Sequence, residues 1–448
     1  LDLLPQFGNL LYSAIAFVVA LSIIVAVHEY GHYIIGRISG IKAEVFSLGF
    51  GPKLISRVDR HGTRWQIAAI PLGGYVKFLG DANAASAGAD EEEMAQLSPE
   101  ERRHTMHGAP LWARAATVAA GPVFNFILSI FVIAGLSIWT GQATNTPQID
   151  TVVALPQGPG GLQKGDVIEA VDGMPTPDYQ ALGSILEKLP SAPELSYTVK
   201  RGDREMTVAG PQLFPARFSG VQPGSAAYDA GLQAGDVVTA IEGQPAWRFL
   251  DLQQAVKKSE GAPISLDIWR PEAKGASPEE FTVSLAPRRT DIPLGGGQFE
   301  TRYLLGATGS FMFEPTTKPV GVIDAVTGGV TQTWTIITQS LSGIKAMIAQ
   351  KISSCNLSGA LRIAETSGAA AKSGPLEFIW FIAVLSTAVG FLNLFPIPVL
   401  DGGHLMFHLY EAVAGKPPSD RLMNMFMSVG LALVLTLMLF GLWNDITC

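Results

Sequence analysis

His28-Glu29-Tyr30-Gly31-His32 stands at the end of an apolar run, Leu3 to Val27, that contains no charged residue. On a helix the i, i+4 spacing puts His28 and His32 on one face, a turn apart, where two imidazoles can take two corners of a tetrahedral zinc site. Glu29 then flanks the metal's water. Zinc lowers that water's pKa from about 16 toward about 7, and a neighbouring carboxylate can take the proton and pass it to a leaving amine. That is the chemistry of peptide hydrolysis. The alternative, a bundle interior holding two histidines and a glutamate without metal, weighs less here. Ionisable groups inside a membrane span are costly and mark function.

The whole composition agrees with a membrane setting. At 448 residues, 48% hydrophobic and a mean hydropathy of +0.27, the chain is too long and too apolar for one soluble domain. A net charge of -8, with no long basic stretch, argues against nucleic acid as partner. Cys355 and Cys448 offer neither a disulfide framework nor a cysteine zinc pattern. The first apolar run lacks a basic leader and is expected to stay as an anchor.

Four charge-free stretches have spanning length: Leu3 to Val27, continuing as helix to about Ile35; Ala115 to Trp139; Phe378 to Leu400; and Leu422 to Asn444. Four spans put both termini on one side. Arg37, Lys42, Arg102, Arg103 and Arg114 crowd the loop between the first two spans, whereas residues 1–27 and 140–155 contain no Lys or Arg. That loop is therefore expected to be cytoplasmic, and residues 140–377 to lie outside the inner membrane.

Within the cytoplasmic loop, Ile41 to Leu79 reads as a hairpin or small sheet turning at Asp59-Arg60-His61-Gly62, apolar enough to be partly embedded. Asp81 to Glu93 reads as an acidic linker. Ser98-Pro99-Glu100-Glu101 spells a capping box with proline at the first helical position. In the outer segment, Gly161-Leu162-Gln163-Lys164-Gly165-Asp166 to Gly173 recurs as Gly231-Leu232-Gln233-Ala234-Gly235-Asp236 to Gly243. The pattern resembles bacterial PDZ domains, which bind peptides by strand addition, although spacers of the same shape would look alike. The first copy is shortened before Gly161, which weakens any peptide-binding role for it. Pro319 to Gln350 then reads as an amphipathic helix, lying on the membrane, bracing the repeats or packed on soluble core.

The third span runs into Asn393-Leu394-Phe395-Pro396-Ile397-Pro398-Val399-Leu400-Asp401-Gly402-Gly403-His404. Spans one and three run in the same direction, so Asp401 can reach the depth of His28 and His32 and complete a two-histidine, one-carboxylate zinc set. The two prolines break the helix where only protein or a water-filled cavity can receive the freed backbone groups. Asn393 can donate to a substrate carbonyl or to a neighbouring helix. His404 either supports the ligand set or is merely polar at the interface.

Taken together, H-E-Y-G-H, Phe46 to Pro52, Pro71 to Phe78, Gly121 to Phe126, the tandem repeats and the Asn393 to His404 stretch resemble the site-2 proteases over nearly the whole chain. The resemblance implies zinc bound by His28, His32 and Asp401, Glu29 as catalytic base, and Asn393 as substrate-binding residue. It further implies intramembrane cleavage of single-span substrates within the lipid bilayer, namely the second cut of an anti-sigma factor and removal of remnant signal peptides. The expected setting is the bacterial inner membrane, with periplasmic PDZ domains and an active site near the cytoplasmic face. Ala360 departs from the family's usual proline, without evident consequence.

The expected fold is an α-helical polytopic membrane protein of four transmembrane helices, with a membrane-associated β-hairpin or sheet and two tandem β-rich PDZ domains. Its parts are a first transmembrane helix (1–36), a cytoplasmic loop (37–113), a second transmembrane helix (114–140), PDZ domains at 141–216 and 217–290, a linker and amphipathic helix (291–376), a third transmembrane helix (377–401) and a final loop and helix (402–448). Two rival functions are a silent scaffold that captures exported protein ends and a metal transporter. Glu29 beside the histidine pair favours an enzyme over both. Spans two and four also lack the charged relay that transport needs.

Overall fold

The computed structural model describes residues 3–82, 90–272, 277–295 and 298–447. These form two compact units: one of residues 1–136, 321–348 and 354–448, the other of residues 137–320 and 349–353.

The first unit contains α1 (Leu3–Ile38), strands β1 (Ala43–Val58) and β2 (Arg64–Phe78), and helices α2 (Leu111–Thr140), α3 (Val322–Ile348), α4 (Ala360–Ser373), α5 (Pro375–Asn393), α6 (Asp401–Ala414) and α7 (Asp420–Thr447). Four of these, α1, α2, α5 and α7, are long and apolar enough to cross a membrane. The predicted spans are thereby found, with one correction. The third was read to Leu400, but α5 ends at Asn393, because Pro396 and Pro398 lack donors and push the residues before them out of the helical region. Asp401 instead opens a separate helix, α6.

The hairpin turns at Asp59 to Gly62, where Asp59 Oδ1 accepts from the His61 and Thr63 amides. Both strands also bend, so that Val45 to Leu48 pairs with Arg64 to Ile67 on one side and with Gly74 to Lys77 on the other. Two long strands thus make a small sheet of four segments. Leu54, Ile55 and Leu72 are exposed on it, the apolar surface expected of a sheet at a membrane. The Ser98 capping box is present, whereas residues 83–89 of the acidic linker lie outside the described residues.

Helix α3 buries its small residues, Ala325, Gly329 and Thr333, and a Cβ at Gly329 would come within 2.6 Å of the Ile130 carbonyl oxygen of α2. Trp334, Leu341 and Ile348 point outward. Its small residues thus pack against α2 while its large apolar ones stay exposed. The N-terminus of α4, at Gly359, has no cap of its own. Asp445 near the end of α7 supplies one, accepting from the Gly359, Leu361 and Arg362 amides. The cysteines also need correction: Cys355 is disulfide-bonded, in a turn that the Asn444 side chain ties to α7 through the Ser354 carbonyl. Cys448 lies outside the described residues.

In the second unit the repeated sequence folds twice in the same way. Each copy is a four-stranded antiparallel sheet, in the order Met174–Pro175, Val167–Val171, Glu194–Arg201, Arg204–Pro211 and again Gln244–Pro245, Val237–Ile241, Ile264–Arg270, Glu279–Leu285. The repeated aspartate explains the motif. Asp166 accepts from the Gln163 amide and pairs with Arg201 at 2.7 Å, and Asp236 does the same with Gln233 and Arg270. Burial works to raise the Asp166 pKa, but the hydrogen bonds from Arg201 and the Gln163 amide overcome it and hold the carboxyl below its ordinary value.

The boundary read at residue 290 is corrected by three short strands beyond it. Ala307–Thr308 pairs with Gly220–Val221 beside the second copy, Phe313–Pro315 pairs with Ile149–Val152 beside the first, and Thr317–Lys318 closes on Gln142–Ala143. Met312 and Phe313 are buried in the first copy's core. The stretch read as linker therefore gives a strand to each repeat, a pairing across more than 80 residues that no local pattern announces.

Candidate active site

Three side chains from two distant parts of the sequence converge. His28 Nε2 lies 3.2 Å from His32 Nε2 and 3.1 Å from Asp401 Oδ2, and His32 Nε2 lies 3.5 Å from Asp401 Oδ1. Among the described residues this is the one group of three able to hold a metal ion, its ligand atoms all within 4.8 Å of one another. The imidazoles stand edge to face, 82° apart, as two helical residues one turn apart do when both rings aim at a common point.

Helix α2 shapes the space around them. Gly121 faces the pair, and a Cβ there would come within 2.3 Å of His32 Nε2 and 2.7 Å of His28 Nε2, so any side chain would fill the place where the donors meet. The Thr117 carbonyl accepts from His32 Nδ1 at 2.8 Å, which leaves the Nε2 lone pair pointing at the shared centre. Asn125, wholly buried, places its side-chain nitrogen 3.1 Å from His28 Nδ1, and its Oδ1 has no partner. A half-turn of that amide sets Oδ1 to accept from Nδ1–H, the tautomer in which His28 Nε2 is free to bind metal. Open space at the donor atoms and a fixed tautomer at His32 fit a metal ion.

Asn125 is itself held: its carbonyl accepts from Ser386 of α5 at 2.9 Å and from Ser129 at 3.0 Å. Ser129 also donates to the Ala383 carbonyl, stitching α2 to α5. Sequence reading assigned no role to Gly121, Thr117 or Asn125. The one available signal was a lone amide inside an apolar span, within the Gly121 to Phe126 stretch.

Glu29 adjoins the donor set and packs against β2, where a Cβ at Gly74 would come within 3.1 Å of its Cγ. A cavity of about 730 Å3 opens here, lined by His28, Glu29, His32, Asp401, Asn393, His404 and the Leu72 to Val76 edge of β2. Asn393, the last residue of α5, thus faces the same space as Glu29. His404 sits one turn beyond Asp401 in the cavity wall, outside the ligand group, with its ring edge-on to Phe407. Farther along, Arg114 of α2 forms a two-pronged ion pair with Glu411 of α6 at 2.6 and 3.0 Å, fixing the helix that Asp401 begins.

Membrane-spanning helices around a two-histidine, one-carboxylate centre with an adjoining glutamate define an intramembrane metalloprotease. The chain belongs to peptidase family M50, whose model matches residues 16–437. It is 37% identical over 443 residues to a protein of Rhizobium meliloti (strain 1021) named as a zinc metalloprotease, covering 98% of this chain and 97% of that one. It is 32% identical to the regulator of sigma-E protease RseP of Escherichia coli (strain K12) and to that of Salmonella typhimurium (strain 14028s), in both cases over 98% of this chain and 99% of the relative. The protein is a zinc metalloprotease.

Proposed function

We propose that this enzyme hydrolyses peptide bonds of single-span substrates inside the bacterial inner membrane, making the second cut of an anti-sigma factor and also clearing remnant signal peptides. The observation that carries the reading is the meeting of His28, His32, Asp401 and Glu29 in one cavity among span-length helices. His28, His32 and Asp401 hold the zinc. Bound there, it would supply a Lewis acid for the scissile carbonyl and for the pKa of the attacking water. Glu29 takes the proton from the attacking water at a carboxylate oxygen and delivers it to the leaving amide nitrogen. Asn393 donates its side-chain amide to the substrate carbonyl as charge develops on oxygen.

A helical substrate hides its peptide bonds in its own hydrogen bonds, so it must be drawn into an extended strand before attack. The Leu72 to Val76 edge of β2, lining the cavity beside Glu29, is suited to supply the replacement bonds. The positive-inside pattern supports an orientation with the β-sheet and the zinc toward the cytoplasm and the two repeats, read as PDZ domains, in the periplasm. Relatives named as regulators of sigma-E support the anti-sigma reading.

The test is incubation of purified protein with a single-span substrate, with and without a zinc chelator. Cleavage within the span, lost on chelation and restored by zinc, is expected. Cleavage only outside the span, or cleavage indifferent to chelator, would overturn the reading.

A further inference from the structure

A second cavity, of about 270 Å3, lies where α1 ends, and its walls carry Arg37, Lys42, His61 and His104. Three chain segments meet there: the last turn of α1, the β1–β2 turn and the segment before α2. Arg37 and His104 are held by neutral groups. Arg37 donates to His61 Nε2 at 2.6 Å and to the Tyr33 hydroxyl at 3.3 Å, and His104 Nδ1 donates to the Gly40 carbonyl at 2.7 Å. Among the described residues none of the four forms an ion pair.

Two carboxylates come near, and both are already engaged. Asp59 accepts from Tyr33, Trp65 and the His61 and Thr63 amides, and Glu101 is taken up by its capping box with Ser98. Glu101 still feels Lys42, which therefore is the least free of the cations.

The depth of the cavity is set by its neighbours. The span-length part of α1 ends at Ile38, which is 74% exposed, and that of α2 begins at Leu111 beside Trp112, which is 66% exposed. An outward tryptophan at a span end marks the headgroup layer. Arg37, which has no carboxylate partner, gathered with Lys42 and two histidine rings around one cavity at that level, fits a phosphate ester. We propose that this cavity binds the phosphate of an anionic lipid headgroup, which would bridge the end of α1 to the β1–β2 turn.

Native mass spectrometry of the full-length protein in neutral detergent, titrated with phosphatidylglycerol or phosphatidylcholine, tests this. Preferential retention of phosphatidylglycerol is expected, weakened about fivefold for each cation removed in Arg37→Gln and Lys42→Gln, since one basic side chain near an anionic headgroup is worth about 1 kcal/mol. Arg60→Gln removes an equal charge from the same turn but outside the cavity, and should leave retention unchanged. Equal retention of the two lipids, or equal loss in Arg60→Gln, overturns the proposal. Inorganic phosphate that stabilises the protein against heat as much as the lipid does would assign the cavity to soluble phosphate and overturn the lipid assignment. Unchanged melting of the variants in lipid-free detergent separates lost binding from lost folding.

Discussion

Asn125 lies 3.1 Å from His28 Nδ1, on the side of the ring away from the donor centre, and is completely buried. A metal-bound histidine needs its other ring nitrogen held in one tautomer, and here a side chain from another helix is the group in position to do so. Asn125→Ala is expected to lower zinc affinity by about 10- to 100-fold and to slow cleavage at limiting zinc, with much of the rate recovered at saturating zinc. Metal titration beside rate measurements decides it. Unchanged zinc affinity would reduce Asn125 to helix packing.

Glu29→Gln keeps the size of the side chain and its place in the cavity wall but can no longer accept a proton. Cleavage should fall by a factor of at least about 100, while about one zinc remains bound, because general base catalysis is worth that much and the ligand set is intact. A variant with normal turnover would remove Glu29 from the mechanism.

Strand addition makes a separate demand on β2. Side chains and amides alternate along a strand, so Leu72 and Gly74 share an edge with Val76, and all three line the cavity beside Glu29. Leu72 is exposed and lines the cavity, so Leu72→Pro removes one donor at small packing cost. Slower cleavage with unchanged zinc content is expected. An unaltered rate would argue that the substrate unwinds without this edge.

The Asp166–Arg201 pair gives a stability prediction with a pH window. The Asp166 carboxyl is held below its ordinary value of 3.8, so the folded state binds fewer protons than the unfolded one as pH falls. Its contribution is complete above that value and is lost as the pH drops through the lower folded pKa. Asp166→Asn should therefore destabilise the repeat by about 2–3 kcal/mol, a difference that stays constant from about pH 7 to pH 5 and shrinks below about pH 4. Melting of the full-length protein across that range is the measurement.

Local chemistry was legible in the sequence wherever a single segment carried it. The His28–His32 pair obeys helical spacing, the turn at Asp59 to Gly62 has its own polar residues, and Asp401 follows a proline break that fixes where α6 can start. What escaped depends on partners far along the chain. Asn125 meets a histidine 97 positions away, Asp445 caps a helix more than 80 positions before it, and residues 307–318 complete sheets begun near residues 142 and 220. None of these pairings has a period or a turn signal to announce it.

The two repeats are expected to act as a size filter. They are inserted between α2 and α3; on the proposed orientation, with the repeats outside the inner membrane, they would meet a substrate's outer domain and obstruct a bulky one without touching the zinc. A cut confined to residues 149–287 would leave Ala307–Thr308 and Phe313–Pro315 without strand partners and expose Met312 and Phe313, which are buried in the first repeat. The insertion has a cleaner boundary. Gln142–Ala143 pairs with Thr317–Lys318, so the two ends of the unit already lie side by side, and a short linker can join residue 141 to residue 319. Such a deletion should permit cleavage of a substrate that keeps its full outer domain, while changing the rate on a trimmed substrate much less. Assaying both substrates together separates filtering from general damage: if the untrimmed one is still refused while the trimmed one is cut normally, selection by size resides in another part of the chain.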